Sequence, residues 1–200
     1  MKLLLAPASP FVAKCRMAAR HLKLDVEEVP ADATNEAPEL LEANPLGKIP
    51  CLIDEAIAGE DKAIYDSRVI TRYMNVKAKG SLYPRDDAFS VPRMEALADG
   101  ICDAAVAYQY EMRFRAEEKV ERSWLERQWS KVERGLSVAG TKLPPATSGI
   151  DAGSIALAAA LGYLDLRYAG KWQEGNGAVF DWQTRFDEHH PELAALKPSA

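Results

Sequence analysis

The sequence is poor in the features that mark several protein classes. It has three cysteines in 200 residues, Cys15, Cys51 and Cys102. With no Cys-x-x-Cys and no even set, they build neither a disulfide framework nor a metal knuckle. Long apolar runs are missing too. Residues 3–6 and 155–161 are the longest, far short of the roughly 20 residues that span a bilayer. The opening Met1-Lys2-Leu3-Leu4-Leu5-Ala6 is too brief for a signal peptide and passes directly into helix-patterned sequence. Nor is positive charge in excess. The net charge is −5 with both signs interspersed, so there is no basic stripe for a nucleic-acid backbone. Internal repeats and low-complexity tracts are absent. These absences point to a soluble protein of a reducing, cytoplasmic compartment. With 48% hydrophobic residues it can fill one or two real cores.

What is present reads as β-α-β-α-β-β-α followed by helices alone. Residues 3–6 form a short buried strand. Ser9 before Pro10 starts a helix, with a hydroxyl at the cap and proline at the first helical position. Phe11, Cys15, Ala18, Ala19 and Leu22 give that helix an apolar face, and residues 23–25 end it. Residues 26–29 read as a second strand stopped by Pro30, residues 38–43 as a short helix, and residues 50–54 as a third strand. A loop over 55–62 returns the chain into a fourth strand at 63–65. Asp66-Ser67 then caps a helix over 68–75.

Residues 80–84 read as a linker between a domain over 1–79 and another over 85–200. Beyond it no strand signal remains. Met94, Leu97, Ile101, Ala105, Tyr108 and Met112 share one face of a long helix running into the charged residues 113–121. Val120, Trp124, Val132 and Leu136 mark another, ending at Gly140. Residues 151–168 are apolar almost all round, which predicts a helix buried at the centre of the second domain. Shorter helices over 179–188 and 191–196 complete an all-α C-terminal part behind an α/β N-terminal one.

The stretch over 44–52 admits two readings on local chemistry. Pro50 lies at the mouth of the third strand, a first position where its missing donor costs nothing. Alternatively, Ile49–Pro50 is a cis bond in a tight turn. The Ile49 backbone groups would then turn out of the sheet, toward an extended peptide ligand. Ser9 divides similarly between a plain helix cap and a hydroxyl donor to an anion. Asp66-Ser67 divides between a helix start and a site for a carboxylate and an ammonium. Cys15, on the apolar helix face, and Cys51 read as structural. His189-His190 reads as a helix end with no metal role, because no third ligand stands at suitable spacing.

Several motifs in register resemble the glutathione transferases across essentially the whole chain. Ser9-Pro10-Phe11-Val12 is similar to the first strand–helix turn of bacterial and omega-like members. Asn44-Pro45-Leu46-Gly47-Lys48-Ile49-Pro50 resembles their loop before the cis-proline, and Tyr65-Asp66-Ser67 their acidic-Ser motif. Residues 98–103, 124–128 and 160–165 are similar to blocks of their helical half. Two departures stand out. The family's Ser/Thr-x-x-Asp helix start is reversed here to Asp151-x-x-Ser154, and Ala13 stands where many relatives carry arginine.

The resemblance implies a thioredoxin-like N-terminal domain, an all-helical C-terminal domain, a homodimer, and glutathione as co-substrate with no metal. It also implies roles for single residues. Ser9 would activate the glutathione thiol for attack on a small electrophile or peroxide. Phe11, Lys48, Ile49, Pro50, Asp66 and Ser67 would form the glutathione site. Asp99 is a candidate to reach the partner subunit's glutathione, and Tyr108, Met112 and Phe114 are candidates for an electrophile pocket. A binding module of the same fold without turnover, and a glutathione-dependent reductase or isomerase, are the rival readings.

Overall fold

A computed structural model describes residues 1–59, 61–86 and 88–200. Its N-terminal part is a four-stranded sheet in the order β2-β1-β3-β4, built from β1 (Lys2–Leu5), β2 (Glu27–Pro30), β3 (Cys51–Ile53) and β4 (Ala63–Ile64). β1 runs parallel to β2 and antiparallel to β3, which in turn runs antiparallel to β4. Helix α1 (Pro10–His21) makes the crossover from β1 to β2. Helices α2 (Pro38–Ala43) and α3 (Ser67–Ala78) follow.

Alternation along the strands explains why β1 is apolar throughout. Leu3 and Leu5 pack with Leu52 against Val12, Cys15 and Ala19 of α1 and Ile70 and Met74 of α3. Leu4 and Cys51 point the other way, onto Leu40 of α2. The sheet is therefore covered on both faces. β2 ends at Pro30, as expected, with the proline itself as the strand's last residue, opposite Leu5. β2 is an edge strand, so a missing donor on its outer side is tolerated. Behind the sheet, the buried Asp54 carboxylate accepts from Tyr73 Oη at 2.6 Å and Lys77 Nζ at 2.7 Å, tying the end of β3 to α3. These two donors hold its carboxyl well below the usual range.

The remainder is helical: α4 (Ser90–Phe114), α5 (Arg122–Thr141), α6 (Ala152–Tyr168), α7 (Gly177–His189) and α8 (Pro191–Ala194). As expected, α6 is central, with every residue from Ala152 to Leu164 buried. The reversed motif still caps it. The Asp151 carboxylate accepts from Ser154 N at 2.8 Å, and Ser154 Oγ accepts from Asp151 N at 3.3 Å. α4 and α5 approach closely where Gly135 meets Ile101, since a Cβ there would lie 2.5 Å from the Ile101 side chain.

Helix ends differ from the sequence reading. α3 begins one residue earlier, at Ser67, and continues to Ala78. α4 stops at Phe114, and a single 3-10 turn over Glu117–Lys119 separates it from α5. The Glu111 carboxylate accepts from both Arg115 and the Glu121 N–H, which reverses the chain there. Val120 therefore lies outside α5, and Trp124 is 41% exposed. Among the described residues no helix is long and apolar enough to cross a membrane.

α1 is shared between the two parts. One face serves the sheet, while Ala13, Met17 and Ala18 join the helical core and Phe11 seats against Ala98, Cys102, Ala156 and Ala160. Ala13 is 1% exposed there, so this position offers no room for the arginine of relatives.

Candidate active site

Three chain segments meet at one end of the sheet, and strand register explains why. β1 pairs Leu4 with Cys51, which sets Pro50 beside the end of β1, where the turn toward Ser9 begins. β3 pairs Leu52 with Ile64, which brings the chain after β4 alongside the same proline. The Ile49–Pro50 peptide is cis, as is Tyr65–Asp66. Ile49 lies beyond the last residue pair of the β1–β3 ladder.

Each segment is held by its own local chemistry. Ser9 is the extended N-cap of α1, and its Oγ accepts from Val12 N at 3.4 Å. A hydroxyl that accepts one bond still carries its proton for another acceptor. No acidic residue stands in the first turn of α1, so the positive end of its dipole is not neutralised locally. Asn44, buried, organises the loop before Pro50. Its Nδ2 donates to Lys48 O at 2.8 Å and its Oδ1 accepts from Leu46 N at 3.1 Å. Gly47 supplies the left-handed backbone (φ +60°) that this turn needs. Lys48 is left exposed at the tip.

Asp66 caps α3, accepting from Arg68 N at 3.1 Å, and Ser67 is buried at its first turn. The Ser67 carbonyl accepts from Thr71 Oγ1 at 2.8 Å and from Cys15 Sγ at 3.8 Å. Cys15 thus ties α1 to the N-terminus of α3. It is a structural thiol: burial pushes its pKa up to about 12, and that of Cys51 up to about 11. Burial raises Cys102 well above the ordinary value as well. A thiolate, not a thiol, is the nucleophile. The native protein is therefore expected to resist an aromatic disulfide reagent at neutral pH, and to release three equivalents only after denaturation. A thiol that reacts within seconds in the native state would reinstate cysteine redox chemistry.

Reading the sequence missed the polar cluster behind these segments. Lys14 is only 1% exposed. Its Nζ donates to both Asp99 carboxylate oxygens at 2.8 Å and to Glu95 Oε1 at 3.4 Å. Burial opposes its charge, but Asp99 and then Glu95 outweigh that, and its pKa is raised. Arg68, the residue after Ser67, reaches the same Asp99 carboxylate at 3.1 Å. Tyr83 Oη closes the cluster on Glu95 at 3.0 and 3.1 Å. Burial raises the Glu95 carboxyl, against the pull of Lys14 and Tyr83. Asp99, a candidate for reaching across a subunit interface, is engaged within its own chain by Lys14 and Arg68.

One helical turn beyond Asp99, Asp103 sits within the electrostatic reach of Asp99, Arg68, Lys48 and Asp66; burial is the main reason its carboxyl titrates high. Lys48, Asp66 and Arg68 thus gather around one face of α4. Tyr108 is not on that face. It packs against Trp129 and Tyr168 at ring-centroid distances of 6.0 and 5.5 Å, toward α5 and α6. Met112 is 45% exposed. The face of α4 that carries Asp99 and Asp103 continues to Tyr110 and Phe114, an exposed edge-on pair 5.1 Å apart.

Residues 3–81 match the family model described as the glutathione S-transferase N-terminal domain. The uncharacterised GST-like protein YibF of Escherichia coli K12 is 34% identical over 176 residues, covering 84% of this chain and 83% of its own. This chain belongs to the glutathione S-transferase family. Solved members of bacterial origin superpose over its whole length. A glutathione S-transferase from Methylobacillus flagellatus with glutathione bound has a TM-score of 0.87 at 32% identity, covering 99% of each chain. A glutathione transferase family member from Pseudomonas fluorescens Pf-5, also with bound glutathione, has a TM-score of 0.87 at 33% identity. It covers 100% of this chain and 99% of its own. The fold is the thioredoxin-like sheet domain and helical domain of the glutathione S-transferases.

Proposed function

We propose that the chain is a cytoplasmic, homodimeric glutathione transferase that activates the glutathione thiol with Ser9 for attack on a small electrophile or peroxide. The observation that carries this reading is the junction at one sheet end of the Ser9 cap, the cis-Pro50 loop and the α3 N-terminus. The glutathione bound to the solved bacterial relatives supports it.

In this reading the Ser9 O–H and the N-terminus of α1 stabilise the thiolate. The Ile49 N–H and C=O pair with the cysteinyl unit as an added strand, held in place by Pro50. The Ser67 hydroxyl and the α3 N-terminus take the γ-glutamyl carboxylate, Asp66 takes the adjacent ammonium, and exposed Lys48 takes the glycyl carboxylate. Phe11 acts at one remove, anchoring the Ser9 turn in the helical core. Tyr110 and Phe114 replace Tyr108 as the aromatic wall for the electrophile; Met112, one turn beyond Tyr108, lies on the other side of α4. Two copies associate through exposed apolar side chains on α3 and at the start of α4, namely Val69, Val76 and Phe89. The divide between the domains falls over 80–84.

Glutathione-agarose capture followed by a conjugation and peroxidase panel tests the proposal. Capture with turnover is expected, and Ser67→Ala should weaken glutathione binding by about 10–100-fold, the worth of a charge-assisted hydrogen bond of roughly 1.5–3 kcal/mol. Capture without turnover across the panel would make the chain a binding module. Unchanged affinity in Ser67→Ala would remove the carboxylate site.

A further inference from the structure

Tyr108 leads to a second feature of the helical part. Tyr108 of α4, Trp129 of α5 and Tyr168 of α6 form a box of three aromatic rings. The Tyr108–Trp129 planes lie at 67°, the Tyr108–Tyr168 planes at 90° and the Trp129–Tyr168 planes at 56°. Tyr168 is fixed in place because its Oη donates to Ala105 O at 2.7 Å. Two of its rings already face a cation. Lys171 Nζ lies 3.8 Å from the centroid of the Trp129 ring and 4.9 Å from that of Tyr108. Among the described residues no carboxylate pairs with this ammonium, so ring faces are what it is seated on.

We propose that this box is a binding site for small organic cations, with quaternary ammonium ions as its best ligands, and that Lys171 is its resident, displaceable occupant. Ring quadrupoles attract a positive charge over the ring face, and a methylated ammonium sheds water more readily than a primary one. The backbone around Lys171 is tied down. Trp172 Nε1 donates to Asp165 at 2.9 Å, Gly170 N to Gln173 Oε1 at 2.8 Å, and Asn176 Nδ2 to Trp172 O at 2.8 Å. Lys171 itself is exposed on that turn. A ligand therefore has only a flexible side chain to displace, while the turn that carries it stays anchored. Because the occupant is in the same chain, apparent affinity is the intrinsic affinity reduced by the fraction of molecules with Lys171 swung out. The box lies on the side of α4 away from Asp99 and Asp103, so it is separate from the Ser9 site.

Titration of tetramethylammonium and choline into the full-length protein, followed by tryptophan fluorescence against sodium chloride at matched ionic strength, tests this. Weak saturable binding to the wild type and at least about 10-fold tighter binding to Lys171→Ala are expected, since the mutation empties the box without touching its walls. The neutral isostere 3,3-dimethylbutan-1-ol should fail to compete. Tyr108→Leu in the Lys171→Ala background should weaken choline binding by about 10-fold or more. Circular dichroism establishes that each variant is folded. Absence of saturable binding to folded Lys171→Ala, equal affinity in wild type and Lys171→Ala, or equal binding of the neutral isostere would each overturn the proposal.

Discussion

Replacing Lys14 with methionine should lower stability by about 3–5 kcal/mol, the cost of leaving buried carboxylates without their cation. For a chain of this size that is a fall of roughly 10 °C in Tm. The reason lies in what Lys14 touches. Asp99 accepts from Lys14 on α1 and from Arg68 on α3, so one carboxylate draws together the two helices whose N-termini carry Ser9 and Ser67. Without Lys14, among the described residues Asp99 keeps only Arg68, whose side chain is 47% exposed, and Glu95 keeps only Tyr83. The pH dependence gives the effect a signature. A carboxyl whose folded pKa is raised penalises the fold where it must be ionised, and the penalty fades as pH falls toward the unfolded glutamate value of about 4.3. Glu95 is already raised by burial, and removing Lys14 raises it further. The destabilisation relative to wild type should therefore be largest at neutral pH and shrink on acidification. Combining Lys14→Met with Asp99→Leu should recover part of the loss, because an apolar replacement of a buried pair is often close to neutral. Denaturant unfolding of the single and double variants at several pH values decides it. A single-variant loss below about 1 kcal/mol, typical of an exposed pair, would mean the cluster is not a clamp.

Replacing Ser9 with alanine should slow glutathione conjugation at neutral pH by about 10–100-fold, the kinetic equivalent of one charge-assisted hydrogen bond of roughly 1.5–3 kcal/mol. A free thiol titrates near about 8.5, and the dipole and N–H groups of α1 remain in the variant, so part of the thiolate stabilisation should survive. The same substitution also removes the helix cap seen at Val12 N, at a cost of about 1 kcal/mol in stability. The two roles separate cleanly. A cap acts on unfolding alone, whereas a thiolate donor acts on the pH profile of the rate. Ser9→Gly keeps most of the capping free energy and should lose the same activity as Ser9→Ala. Stability loss with an unshifted pH–rate profile would reduce Ser9 to a cap.

Local chemistry carried much of the fold into view. Ser9 followed by Pro10, Asp66 before Ser67, and Asp151 with Ser154 announce helix starts, and the unbroken apolar run of α6 announces burial. What stayed hidden depends on residues far apart in the chain. Lys14 reads as a polar residue on an amphipathic helix, because its partners lie 81 and 85 positions away. The one available hint was that Lys14 and Ala18, four apart, share a buried stripe on α1. Tyr108 follows the apolar spacing of α4, but spacing alone does not say which neighbour its ring meets. Cys15 was legible as buried, and its bond to the Ser67 carbonyl was not, since α3 is 52 residues on.

The most direct measurement is a pH titration of the thiolate ultraviolet absorbance of glutathione bound to the wild type and to Ser9→Ala. Activation by Ser9 predicts a midpoint well below about 8.5 in the wild type and a rise of one to two pH units in the variant. A wild-type midpoint equal to that of free glutathione, or one that Ser9→Ala leaves in place, would contradict it.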